Sequence, residues 1–102
     1  MRIVDMHCDT LIEGWRHPEL SFADGDLSIN LKLLKEHGCK AQFFAMWLAR
    51  KEMETMDSYD ILKGIYSYYS KVMEENKDVI RPAYSAEDIE NNCKNGILSS
   101  FL

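Results

Sequence analysis

The segment Lys40 to Leu48 constrains the fold of this 102-residue chain more than any other. Ala41, Phe43, Ala45 and Trp47 fall on one side of an extended strand, and Gln42, Phe44, Met46 and Leu48 on the other. Apolar character on both faces is what a central strand of a parallel sheet carries, because helices cover it. The segments around it supply those helices. Asn30 is placed to cap a short helix from Leu31, with Leu31, Leu34 and Leu33 as its apolar residues, His37 in its last turn and Gly38 just past its end. Asp57 or Ser58 starts the longest helix, which runs to about Asn76. Ile61, Leu62, Ile65, Tyr69, Val72 and Met73 recur along it at helical spacing, flanked by Tyr66 and Tyr68, which read as packing residues.

The remaining punctuation extends the pattern. Arg2 to Cys8 reads as a first strand, and the polar, Gly- and Pro-containing stretch Glu13 to Gly25 as a loop. Arg81-Pro82 ends a connection. Ser85 with Asp88 opens a further helix to Lys94, which Asn95-Gly96 stops, and Ile97 to Leu102 is a last strand. Strands alternating with helices imply right-handed crossovers and a parallel sheet. Three such strands alone leave edges and apolar faces uncovered, whereas a closed (β/α)8 barrel takes ~250 residues. The expected fold is α/β: residues 1–102 as one partial domain, the N-terminal part of a (β/α)8 TIM-type barrel, with about three parallel strands and their helices.

Composition excludes several function classes. The apolar fraction of 46% and charged fraction of 28% are those of a globular domain. A net charge of −5 with no cluster of Lys and Arg disfavours nucleic acid as a partner. The longest apolar run, Ala41 to Ala49, is interrupted by Gln42 and falls far short of the ~20 residues a membrane-spanning helix needs. Arg2 is followed by Asp5, His7 and Asp9, so a leader peptide is not expected. Cys8, Cys39 and Cys93 are widely spaced, with no Cys-x-x-Cys pair, which predicts free thiols and a cytoplasmic setting.

The chemically informative segment is Ile3-Val4-Asp5-Met6-His7-Cys8-Asp9-Thr10. Regular strand alternation puts Asp5, His7 and Asp9 on one face and turns Met6 and Cys8 away. A line of ionisable groups on a strand is costly to bury without a partner. A divalent metal supplies one, since it accepts imidazole nitrogen and carboxylate oxygen together. His7 and Asp9 also lie where the strand runs into its following loop, the end at which α/β barrels place active sites.

Asp5-Met6-His7-Cys8-Asp9 resembles the Asp-x-His-x-Asp metal motif on the first strand of the renal (membrane) dipeptidase family. Leu31 to Leu48, including Gly38 and Ala41-Gln42-Phe43-Phe44-Ala45, is similar to that family's second strand unit. Ser85-Ala86-Glu87-Asp88-Ile89 and Asn95-Gly96-Ile97-Leu98 resemble the approach to its third. The resemblance implies a (β/α)8 barrel that holds two zinc ions and hydrolyses dipeptides. His7 and Asp9 would be ligands of one ion, and Asp5 would support them without binding metal. It also implies that the remaining ligands, a bridging glutamate among them, lie outside these residues. No catalytic residue is therefore assigned within the chain. His17 and His37 match no ligand position. The implied chemistry is attack on the peptide carbonyl by a metal-bound water whose pKa is lowered to ~7. No Ser or Cys nucleophile is needed, and Cys8 is read as facing away from the ligands. The partners implied are a dipeptide and either a further copy of the chain or the rest of the barrel.

Two rivals stand beside this reading. Amidohydrolase-type barrels usually carry His-x-His on strand one, and Asp9 in place of the second His argues against them. The chain is otherwise a non-catalytic fragment or small binding module, because catalytic zinc sites use three protein ligands and this strand offers two. Trp15 and Trp47 are read as packing residues, and Arg50 to Asp60 as a charged stretch on the mouth side, either a lid or subunit contact or a solvated loop.

Overall fold

Four strands run parallel in one sheet, in the spatial order β1 (Ile3–Cys8), β2 (Cys39–Phe44), β4 (Leu98–Phe101) and β3 (Ile80–Pro82). The computed structural model describes residues 2–102. Between the strands lie α1 (Thr10–Arg16), α2 (Leu31–Glu36), α3 (Arg50–Met53), α4 (Ser58–Glu75) and α5 (Ala86–Lys94). The α/β class and the parallel sheet agree with the sequence reading, and the strand count and order differ from it.

The extra strand is β3, where Arg81-Pro82 reads from sequence as a connection. Three residues ending in Pro carry no strand periodicity. Pro82 is tolerated because β3 lies at the sheet edge, where a missing N–H breaks no ladder. Ala83 N–H then bonds Ser100 O at 2.9 Å and continues the pairing.

The order β1-β2-β4-β3 has a consequence for the helices. The chain steps from β1 to β2, passes over the β4 position to reach β3, then steps back to β4. Right-handed crossovers put connections that run in opposite directions on opposite faces. Side-chain bonds agree. Tyr69 of α4 and Ser100 share a hydrogen bond of 2.7 Å, whereas Asn92 of α5 donates to Ser99 Oγ at 3.0 Å. Ser99 and Ser100 are consecutive on β4 and so point to opposite faces. Helices therefore cover both sides of the sheet, whereas a (β/α)8 barrel carries them on the outside only.

The main core lies on the α4 side. Ile61, Ile65, Tyr69, Val72 and Met73 form the buried stripe of α4, as their spacing predicts, and Leu62 sits half-buried beside it. Leu11 and Ile12 of α1 meet this stripe, with Ile80 and Leu98 from the sheet. Each large apolar side chain fully buried this way contributes roughly 1.5–3 kcal/mol. On the α5 side, Phe43 and Phe101 are register partners whose rings stack at 4.6 Å.

The expected caps are present. Asn30 Oδ1 accepts from Leu33 N–H at 2.9 Å, Asp57 accepts from Tyr59 N–H at 3.0 Å, and Ser85 Oγ accepts from Asp88 N–H at 3.2 Å. Gly38 and Gly96 both have φ of 69°, the left-handed turn that ends a helix. The expected loop from Glu13 is a correction, because helix α1 continues to Arg16. Gly14 misleads there: it weakens helical propensity, yet an added Cβ would overlap the Tyr68 hydroxyl, so glycine lets α1 and α4 approach. Arg50 to Met53, inside the expected charged stretch, form the short helix α3.

Candidate metal centre

Strand β1 does not keep regular alternation to its end. In the ladder with β2, Asp5 pairs with Gln42 and Cys8 with Phe44, so the register shifts between them. Three steps along β1 match two along β2, which is a bulge. Gln42 and Phe44 share a face, being two apart, so Asp5 and Cys8 share that face as well. It is the α4 side, because Gln42 is the register partner of Ser100. The expected common face of Asp5, His7 and Asp9 therefore does not form, and Cys8 faces the same way as Asp5. A bulge leaves little trace in a sequence whose residue types suit both faces.

His7 and Asp9 do come together. His7 Nε2 lies 3.2 Å from Asp9 Oδ1, with the two side chains 69% and 46% exposed. Two zinc bonds of ~2.0–2.2 Å at a tetrahedral angle hold their donor atoms ~3.4 Å apart. The observed spacing thus fits a metal ion in place of the shared proton. Among the described residues no group of three or more His, Cys, Asp or Glu side chains that could hold a metal ion converges, and the pair stands as two such side chains. His17 meets Glu19 at 3.3 Å at the surface, and His37 ends α2, both apart from the pair.

Asp5 has different partners. Its Oδ2 accepts from Gln42 Nε2 at 2.8 Å, and its Oδ1 accepts a long bond, 3.4 Å, from His7 N–H. The carboxylate thus spans the bulge and links β2 to the backbone of His7. Gln42 is completely buried; its Nε2 also donates to Phe43 O at 3.0 Å, while its Oε1 has no partner among the described residues. The sequence signal was present, since an amide in an otherwise apolar central strand requires a polar neighbour.

Two neighbours complete the region. Trp47 Nε1 donates to Asp9 Oδ1 at 3.0 Å, a polar contact that the packing reading did not include, whereas Trp15 packs against the core as expected. Arg16 of α1 grips Glu52 of α3 through Nε at 2.5 Å and Nη2 at 2.7 Å. The guanidinium holds the Glu52 carboxyl below its usual range, and the carboxylate raises Arg16. The charged stretch after β2 is tied down at this point.

Cys8, between His7 and Asp9 in sequence, is buried, and burial pushes its thiol up. A nucleophilic cysteine needs the opposite shift and an exposed sulfur. Cys39 is also buried and Cys93 half-buried, and all three are free. No helix among the described residues is long and apolar enough to cross a membrane. A scan against protein-family models and a search of curated proteins both return no match for the chain.

Proposed function

We propose that this chain supplies the first metal-binding strand of a zinc-dependent dipeptidase of the renal (membrane) dipeptidase kind, as the first third of its barrel. The observation that carries the reading is the convergence of His7 Nε2 and Asp9 Oδ1 at the C-terminal end of a parallel strand. The zinc pair, when bound, activates water and polarises the peptide carbonyl. The chain's own residues would hold it: His7 through Nε2 and Asp9 through its carboxylate, with Asp5 bracing the bulge beside His7. The remaining ligands come from other residues, because this strand offers two. The setting proposed is cytoplasmic, in keeping with three free thiols.

The barrel places a condition on the fold. In a barrel α5 lies on the same side as α4, and the far edge of β4 pairs with the next barrel strand. Here β3 holds that edge and α5 covers the opposite face. That arrangement favours the second reading, a non-catalytic module that carries one metal strand.

The two readings separate on metal content and turnover. The 102-residue chain alone is expected to bind zinc weakly and to leave dipeptides uncleaved. In a chain extended by the missing ligands, His7→Ala is expected to remove one zinc and most dipeptide turnover. Unchanged zinc content in that variant would overturn the ligand assignment, and rapid dipeptide cleavage by the 102-residue chain would overturn its role as part of a site.

A further inference from the structure

We propose that Trp47 is a positioning residue for the Asp9 carboxylate and, through it, for the metal; the metal half of this inference rests on the reading above. The argument begins with the backbone. Ala45 N–H donates to Cys8 O at 2.9 Å, so the β1–β2 pairing runs one residue past Phe44 and fixes the start of the segment to the metal strand. Met46 and Leu48 pack against the core, and Ala49 is buried. The chain is thus pinned on both sides of Trp47, while the Trp47 side chain itself stays 42% exposed.

The indole is partly covered, and beside a core that accepts both its neighbours burial alone does not fix where its N–H points. Its N–H reaches Asp9 Oδ1 at 3.0 Å, across 38 residues of sequence. A bond to an ionised carboxylate is stronger than one between neutral groups. Indole nitrogen is a donor only, so Trp47 neither ligates a metal nor accepts a hydrogen bond through it. Its one polar action here is to hold Oδ1.

Both contacts of the Asp9 carboxylate fall on that oxygen, Trp47 Nε1 at 3.0 Å and His7 Nε2 at 3.2 Å. His7 Nε2 and the Asp9 carboxylate would hold a metal ion with the indole bond retained, since a carboxylate oxygen has more than one lone pair. The exposed carboxylate is then already oriented, and less freedom is lost when the ion arrives. Removing an outer hydrogen-bond partner of a metal ligand typically costs 10–100-fold in affinity.

The test uses the intact 102-residue chain and Zn²⁺ alone, with Trp47→Phe, Asp9→Asn and His7→Ala. Phe keeps an aromatic ring and removes the donor. In metal-free protein, Asp9→Asn is expected to move the indole N–H proton resonance of Trp47, and an unmoved resonance would overturn the contact without reference to metal. In zinc titration followed by NMR shifts, which reads the weak binding expected of the chain alone, Trp47→Phe is expected to weaken zinc binding about 10–100-fold, and His7→Ala to abolish it. If Trp47→Phe binds zinc as tightly as the parent while His7→Ala does not bind, the positioning role is wrong and the metal reading stands. If zinc binding depends on neither His7 nor Asp9, the metal reading fails and the metal half of the Trp47 inference falls with it.

Discussion

Thr10→Val isolates one hydroxyl that fastens the long connection before α2 to the start of α1. Thr10 is completely buried, and its Oγ1 donates to Ile29 O at 2.7 Å and accepts from Ile29 N–H at 3.2 Å. Valine has nearly the same shape and neither capacity, so both main-chain groups of residue 29 lose their partner. A buried group left unsatisfied costs about 1–3 kcal/mol. Ile29 is only half-buried, which lets water recover part of the loss. The expected destabilisation is therefore ~2–3 kcal/mol for the pair, a large share of the ~5–15 kcal/mol typical of a domain this size. Urea unfolding followed by circular dichroism reads it directly, with an unchanged m-value. Thr10→Ser is the control: it keeps the oxygen and loses one methyl, at about 1 kcal/mol. If valine costs less than serine, the hydroxyl does not anchor residue 29 and the reasoning fails.

Neighbouring tyrosines of α4 are expected to respond in opposite ways. The Tyr68 hydroxyl is buried without a partner among the described residues, so Tyr68→Phe should be neutral or stabilising by about 1 kcal/mol, whereas Tyr69→Phe, which strips the bond to Ser100, should cost about 1–2 kcal/mol. Equal losses in thermal unfolding would contradict that assignment. The Arg16–Glu52 contact gives a pH dependence. Its carboxyl is lowered on folding, so its stabilising effect is present above the unfolded glutamate value and lost as pH falls through the folded one. The protection factors of the Met53 and Met56 amides, which bond Ala49 O and Glu52 O, should fall over that acid window in the parent and be low at all pH in Glu52→Gln; pH-independent protection in the parent would show that the pair does not hold α3.

Much of the layout is legible in the sequence because it rests on local rules. The stripe of α4, the capping residues Asn30, Asp57 and Ser85, and the glycines at 38 and 96 each act within a turn or two of chain. The pairing of His7 with Asp9 is of the same kind, two residues apart on one strand end. Sequence reading faltered where a local signal was overruled from a distance. Gly14 suggests a loop until Tyr68 is packed on it, and Trp47 suggests core until Asp9 is brought to its nitrogen.

The sequence by itself determined the α/β class, the parallel direction of the strands and the nature of the two candidate ligands, since side-chain periodicity and donor chemistry need no long-range information. Only the tertiary structure decided which strand lies beside which, that β3 exists at all, and that helices cover both faces of the sheet. It also decided that Asp5 joins Gln42 and Cys8 on the α4 side while His7 and Asp9 meet in solvent. The reason is that strand order and register are set by pairings between distant segments. A single added residue in one strand then moves every later side chain to the other face.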